Sequence, residues 1–432
     1  MPWVDKLGAH REKEELDLAL EMVDKRQIMG EAEVVIIGGG VIGCSIAYHL
    51  TQAGQRDVIL VERNELGSGT TSSSAGLLGQ VRPTPLLMQL IQKTFGAIQN
   101  LEKELEESIA FHQVGSLRIT STPGQEQVLE EHVAVARRHG IDVYMIDKGE
   151  AQRLVPGLDV GSARKISYVP TDGFIDAYQL ATAYARVARA RGVTIWSGTA
   201  VTDILVDGPR VVGVRTDRGE LRCRHVVDAA GAWAGPIASL VGIALPQAPV
   251  RSHFWITAPL PEVRWDQPVV RIPDARAYAR PEVGGLLIGV YEEESRSYDA
   301  RELPASFRMN QVDRDWEVLL SHLDGILQHF PGLRDAEMVG ATAGLTTYTP
   351  DGKYLVGRVP ATEGFSVASG CCGLGVAGSG GIGYAIAELL VGGTSSLDLT
   401  SLRADRFGRV DPYSDSFRRL CATARATKSR SG

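Results

Sequence analysis

The chain has no excess of positive charge, no closely spaced metal-ligating cysteines, no run of eighteen apolar residues and no internal repeat, and each absence removes a class of protein. Lys and Arg number 45 against 52 Asp and Glu, a net charge of −7 with the signs interspersed. No basic stripe is left to hold a nucleic acid, and none is expected as a partner. The five cysteines, Cys44, Cys223, Cys371, Cys372 and Cys421, lack metal-ligand spacing, so no metal is expected and a reducing, cytoplasmic location fits. Cys371-Cys372 reads as small apolar filler in a glycine-rich loop rather than as a redox pair. Without a longer apolar run, no transmembrane segment is expected.

The amino terminus has neither an apolar signal core nor the composition of a transit peptide. Leu16, Leu20 and Val23 suggest a short amphipathic helix over residues 1–30 that packs on the body or on a second copy, which leaves a homo-oligomer open. The tail beyond Asp411, rich in Ser, Arg, Lys and Ala, reads as frayed or loosely docked.

What the chain does have, in 432 residues that are 44% hydrophobic, is VVIIGGGVIG from Val34 to Gly43 and then Glu62 closing the apolar run of DVILVER. This reads as strand, tight glycine turn, helix and strand, with an acid where an adenosine ribose would sit. Gly38 lets the strand turn, Gly40 lets backbone approach a pyrophosphate, and Gly43 lets the helix pack on the sheet. The N–H groups of a helix beginning near Gly40, with Val41 and Ile42 in its first turn, would hold the phosphates. Glu62 would accept hydrogen bonds from ribose hydroxyls. Further along, NELGSGTTSSSAGLLGQVR is too rich in small polar residues to be a mere connector, and a ligand is expected across it. AVTDILVDGPRVVGVRTDRGELRCRHVVDAAG alternates like a small antiparallel meander. The glycines from Gly373 to Gly383 open a last helix and suggest backbone close to something flat and extended.

Taken in order, VVIIGGGVIGCSIAYHL, VERNELGSGTTSSSAGL, PTDGFIDAYQLATAYARVARARG, VVDAAGAWAGPIASLVG, GGLLIGVYE, YTPDGKYLVG and GLGVAGSGGIGYAIAELL make the chain resemble the D-amino-acid oxidase superfamily of flavoproteins. Within it, the resemblance is to the flavin domain of the dimethylglycine dehydrogenase, sarcosine dehydrogenase and sarcosine oxidase branch. It implies an α/β fold with an α+β substrate lobe: a Rossmann-like FAD-binding domain, built from residues 31–115, 165–250 and 338–400, and an antiparallel-sheet substrate domain from 116–164 and 251–337. Residues 401–432 would form the tail. The implied FAD contacts are Gly38, Gly40, Val41, Ile42 and Gly43 at the pyrophosphate, with Glu62 and Arg63 at the ribose. Thr70, Ser73, Ser74, Ala75, Gly76 and Leu77 would run along the flavin, and Val201 would meet the adenine. Ala230, Gly231 and Trp233 would border the phosphates, and Gly373, Leu374, Gly375 and Val376 the pyrimidine edge.

The departures from the family pattern carry as much. The histidine that links flavin in some relatives aligns with Ser73, and the cysteine that does so in others aligns near Ala343 or Gly344, so non-covalent FAD is expected. Leu287 stands where oxidases of the sarcosine type place a lysine for reaction with oxygen, which leaves oxygen or an electron carrier as acceptor. Relatives that channel product to folate have extra carboxy-terminal domains; here any formaldehyde-level product is expected to leave free.

The resemblance implies hydride transfer from a carbon next to an amine to the flavin, followed by imine hydrolysis, on a small amino acid. Thr346 occupies the place where D-amino-acid and glycine oxidases keep a carboxylate-clamping arginine, which points to secondary or tertiary amines such as sarcosine, dimethylglycine or iminodiacetate. Arg82 falls where sarcosine oxidases bind the carboxylate. The lysine that assists there aligns with Ala377, so Arg251, Arg280 and Arg276 are candidates for a second cation, and surplus arginines would suit a substrate with two carboxylates. Tyr278 and Tyr348 would wall the amine, and His253 is a candidate base. Two other readings stay open: a flavin-bearing subunit or assembly factor acting through protein partners, and a D-amino-acid dehydrogenase.

Overall fold

The computed structural model describes residues 28–431, so the expected extension over 1–30 lies outside the described residues except for its last three, which begin the first strand. Strand Ile28–Ile37 pairs in parallel with Val58–Val61 on one side and Gly219–Asp228 on the other. All of Val58 to Val61 are buried, as a parallel strand covered on both faces requires. Helix Val41–Gln52 makes the crossover between the first two strands, with Val41 through Thr51 buried. The sheet runs Val201–Asp207, Arg210–Thr216, Gly219–Asp228, Ile28–Ile37, Val58–Val61, Thr194–Trp196, and Phe365–Ser369 and Leu355–Arg358 extend it from Gly219–Asp228. Its first three strands are the antiparallel meander read from the DGP and DRG turns.

Helices Pro85–Leu105 and Ala177–Ala190 and the helix Gly375–Gly392 pack with Val41–Gln52 on one face of this sheet. The glycines of Gly375–Gly392 divide by role. A Cβ on Gly380 would lie 2.6 Å from Thr94 Cα, and one on Gly381 or Gly383 would collide with Leu90 backbone or Ser45 Oγ. Those glycines serve helix packing, and only the start of the cluster faces the cavity described below. This helix is also apolar and long enough to cross a bilayer by composition, which corrects the expectation that no such run exists; 61% of that window is buried inside the protein. Its apolarity answers to neighbours on several sides, as in any core helix.

The second sheet runs Met338–Tyr348, Ala248–Thr257, Gly285–Val290, Ala277–Glu282, Val269–Ile272, Ser116–Thr120, Lys165–Val169, Tyr144–Ile146. It is antiparallel except between Val269–Ile272 and Ser116–Thr120. Two boundaries therefore move. Lys165–Val169 and Met338–Tyr348, assigned above to the FAD segments, pair with substrate-lobe strands instead. Alternation marks a strand but does not name its hydrogen-bonding partner.

The tail is the larger correction. Asp415–Ser431 is a docked helix, and Phe417, Cys421 and Ala422 bury against Ala248, Val250, Tyr348 and Cys372. Positions 417, 421, 425 and 428 share one helical face. Two of them are cationic, so the face does not read as apolar in sequence.

Candidate functional site

One cavity of about 670 Å³ runs from the first glycine turn to the second sheet. Every residue assigned above to the cofactor lines it except Gly43. Gly43 acts one layer back, since a Cβ there would collide with the Gly38 carbonyl. Gly38 has φ of +110°, and a Cβ on it would sit 2.5 Å from the Ala229 carbonyl oxygen. The turn is thus closed to any other residue. The Gly39 N–H donates to Glu62 Oε2 at 2.7 Å and the Asn64 N–H to Oε1 at 2.8 Å, so two backbone amides fix the carboxylate at the cavity wall. The Val41 N–H donates to Thr71 Oγ1 at 3.0 Å, tying the polar loop across the helix start. Arg63 stacks on Trp233 with its guanidinium 3.7 Å from the ring centroid, walling the same end.

Midway, Gly373 through Ala377 line the cavity with the first turn of Gly375–Gly392, whose N–H groups have no intrahelical acceptor. The Cys371 N–H donates to Thr347 Oγ1 at 3.0 Å and the Cys372 N–H to the Thr347 carbonyl at 2.7 Å, which holds this turn against strand Met338–Tyr348. The fixed acid, the strained glycine turn, the open amides and the flanking loop from Thr70 to Leu77 fit an adenine dinucleotide with its flavin end on the Gly373 side.

The far end is cationic. Arg118, Arg271, Tyr278 and Gly289 stand opposite one another in register across four strands, so the side chains of the first three share one face. Gly289 leaves room for the Tyr278 ring, which a Cβ there would strike. Arg271 lines the cavity. Around Gly79, Arg271 Nη2, Asp172 Oδ2 and Arg82 Nη2 meet, lying 3.1, 3.3 and 3.5 Å from where its Cβ would be.

Arg82 is only 2% exposed, with Nε and Nη2 unpartnered, and it stands behind Arg271 rather than in the cavity wall. Burial, and then the field of Arg271, push its pKa down to about 9. Among the described residues, the only carboxylate that lines the cavity is Glu62, at the opposite end.

The other expected cations are spent elsewhere. Arg251 meets Asp313 at 2.7 Å, Asp315 at 2.8 Å and Glu292 at 3.3 Å. Arg280 donates from Nε to the Ala75 carbonyl at 2.9 Å and braces the flavin-side loop. Arg276 pairs with Glu293. None of the three lines the cavity, because each sits beside carboxylates or carbonyls that claim it. Leu287 is buried but is not in the wall either.

Tyr278, Tyr348, Thr346 and His253 do line it. Burial pushes both phenols above their usual range, so they stay neutral. His253 stacks on Trp255, and burial and then Arg251 lower its pKa to about 4, too low for a base that must take a proton from an ammonium.

Four lining cations escaped sequence reasoning: Arg271, inside the ordinary strand VVRI, Arg308, in a loop, and Arg425 and Lys428, in the presumed frayed tail. The period of Phe417, Cys421, Arg425 and Lys428 was the signal available for the last two.

The sequence matches the FAD dependent oxidoreductase (DAO) family over residues 33–389. It is 32% identical to dimethylglycine dehydrogenase of Rattus norvegicus over 386 residues, 88% of this chain and 45% of that protein. The chain thus spans about half the length of that relative. Among solved structures, it is similar to glycine oxidase from Geobacillus kaustophilus, at 28% identity and a TM-score of 0.74, covering 87% of this chain and 99% of that one. Iminodiacetate oxidase from Chelativorans sp. BNC1 shares the fold, at 23% identity and a TM-score of 0.72 over 86% and 99% of the two chains. With most of its length matched and a cavity that fits the dinucleotide, this chain belongs to the FAD dependent oxidoreductase (DAO) family, and its cofactor is FAD.

Proposed function

We propose that the chain oxidises the C–N bond of an amino acid whose nitrogen bears a substituent, an N-substituted glycine such as sarcosine, dimethylglycine or iminodiacetate. The observation that carries this reading is the cavity's asymmetry among the described residues: an acid fixed at the dinucleotide end, and cations with no lining carboxylate at the other. FAD, when bound, accepts the hydride from the carbon beside nitrogen. Arg271 receives the substrate carboxylate, with Arg82 and Arg118 behind it adding to the field. Tyr278, Tyr291 and Tyr348 wall the amine. The same positive field disfavours an ammonium, so the amine is held neutral with its lone pair available, and no protein base is required. As the C–H bond breaks with its electron pair, that lone pair forms C=N. Water then adds to this carbon and the C–N bond opens, leaving an amine and a carbonyl compound.

Anaerobic bleaching of the bound flavin by a panel of N-alkyl, N-carboxymethyl and primary amino acids tests the proposal. N-substituted members should bleach it. Bleaching by primary amino acids alone would replace this reading with the D-amino-acid one, and bleaching by none would overturn it.

The FAD is proposed to be held without a covalent bond. Ser73 lines the cavity where a histidine would link, and Ala343 and Gly344 offer no nucleophile. Cys371 does line the cavity, but burial, and then Cys372, push its pKa up to about 12, so it stays a poorly nucleophilic thiol. Acid precipitation should release all the yellow colour to the supernatant; colour that stays in the pellet would contradict this.

A further inference from the structure

We propose that Arg308 is a phosphate-binding residue for the dinucleotide, carried on a strap over residues 291–315 whose tip must lift for FAD to enter or leave. This rests on the FAD cofactor and not on the identity of the amine.

The strap joins strand Gly285–Val290 to helix Trp316–Leu327. Its base is pinned by charge. Asp313 accepts from Arg251 Nη1 at 2.7 Å, from Arg296 Nη1 at 3.0 Å and from Tyr298 Oη at 2.9 Å. The tip crosses to the dinucleotide side and is held by weaker contacts. Met309 and Val312 pack with Ala232, Ala343 and Leu345, and the Leu345 N–H donates to Met309 Sδ at 3.1 Å. The Phe307 ring centroid lies 6.2 Å from that of Trp233, the ring that Arg63 covers at 3.7 Å. Pro304, Ala305, Ser306 and Arg308 are exposed. A segment with an ion-paired base and a partly exposed, apolar tip opens at the tip first.

Arg308 lines the cavity between Phe307 and Met309. Its N–H donates to Gln311 Oε1 at 2.6 Å, and its Nη1 to the Ser306 carbonyl at 2.9 Å and the Phe307 carbonyl at 3.2 Å. Both side-chain bonds use Nη1, which orients the guanidinium on its own loop. Its field reaches Arg63: burial lowers the Arg63 pKa, Glu62 raises it, and Arg308 lowers it again. Two guanidiniums thus line the cavity together with the Gly38 turn and the start of helix Val41–Gln52. Among the described residues, the only lining carboxylate is Glu62, and the Gly39 and Asn64 amides already donate to it. The pyrophosphate is the anionic part of the dinucleotide. Seated on the helix amides, it brings two negative charges to two cations that otherwise repel each other.

The test uses the full FAD-loaded chain, diluted so that FAD dissociates, with release followed by the rise in free-flavin fluorescence. Arg308→Gln should release FAD about tenfold faster than the wild type, and Arg308→Lys, which keeps the charge, within about threefold of it. Added salt should speed release from the wild type more than from Arg308→Gln, which has lost the charge that salt screens. Phe307→Ala loosens the tip without changing charge; it should also release FAD faster while keeping the salt response of the wild type.

Wild-type release from Arg308→Gln, or an unchanged salt response, would make Arg308 a solvated surface charge and overturn the proposal. Equally fast release from the Gln and Lys variants would reduce it to a packing residue, which overturns the phosphate contact. Wild-type release from Phe307→Ala would overturn the opening of the strap. None of these outcomes depends on which amine bleaches the flavin.

Discussion

Arg271→Gln should raise the substrate concentration for half-maximal flavin bleaching by about 100-fold, the loss of a desolvated, charge-assisted hydrogen bond of roughly 2–5 kcal/mol, while FAD content stays that of the wild type. The size follows from position. Arg271 is the sheet cation that reaches the cavity, and among the described residues no carboxylate lines that end of it. Gln keeps the shape of the stem but removes the charge. Arg82 and Arg118 would then stand behind a neutral side chain, unable to reach the substrate directly, since neither lines the cavity. Arg82→Gln should weaken the substrate less than Arg271→Gln, because it acts through the field and through the orientation of its neighbour. A titration that finds Arg82→Gln the more damaging would move the carboxylate to Arg82 and remove Arg271 from its role.

Gly38→Ala should yield protein without bound FAD, colourless when purified, and markedly less stable. Its φ of +110° strains any L side chain, and the added Cβ would stand 2.5 Å from the Ala229 carbonyl oxygen and 2.9 Å from Ala230 Cα. Both obstacles are backbone, which does not swing aside as a side-chain tip would. Backbone strain of about 1–3 kcal/mol adds to that collision, and relief by shifting the turn would displace the amides of the helix start. Gly54→Ala is the control. Gly54 also has positive φ, at +89°, but open space lies around it and it does not line the cavity. That variant should stay yellow and lose only a small part of its stability. A yellow, fully loaded Gly38→Ala protein would show that the turn does not govern the cofactor.

These two positions mark how far the sequence could be read. Gly38, Gly40 and Glu62 were legible because their roles are local: a turn between adjacent elements, backbone amides, and an acid at the end of the next strand. The meander was legible for the same reason, since its turns join strands that pair with each other. Arg251 and Arg271 show where legibility stops. Both are arginines on strands of one lobe, and nothing in either segment tells them apart. Asp313, Asp315 and Glu292 lie far along the chain from Arg251, and their arrival around it removes it from the cavity. The register that sets Arg271 beside Arg118 and Tyr278 likewise joins distant strands. The C-terminal helix was misread because the face it buries ends in two cations, a pattern that composition assigns to solvent.

The amino-acid sequence by itself determined the family, the FAD cofactor and the wall that fits it, because that wall is mostly backbone whose course glycines and neighbouring strands dictate over short range. Only the tertiary structure decided which cations face the cavity, since a charge is free for a ligand or consumed by a partner according to contacts among segments far apart in the chain.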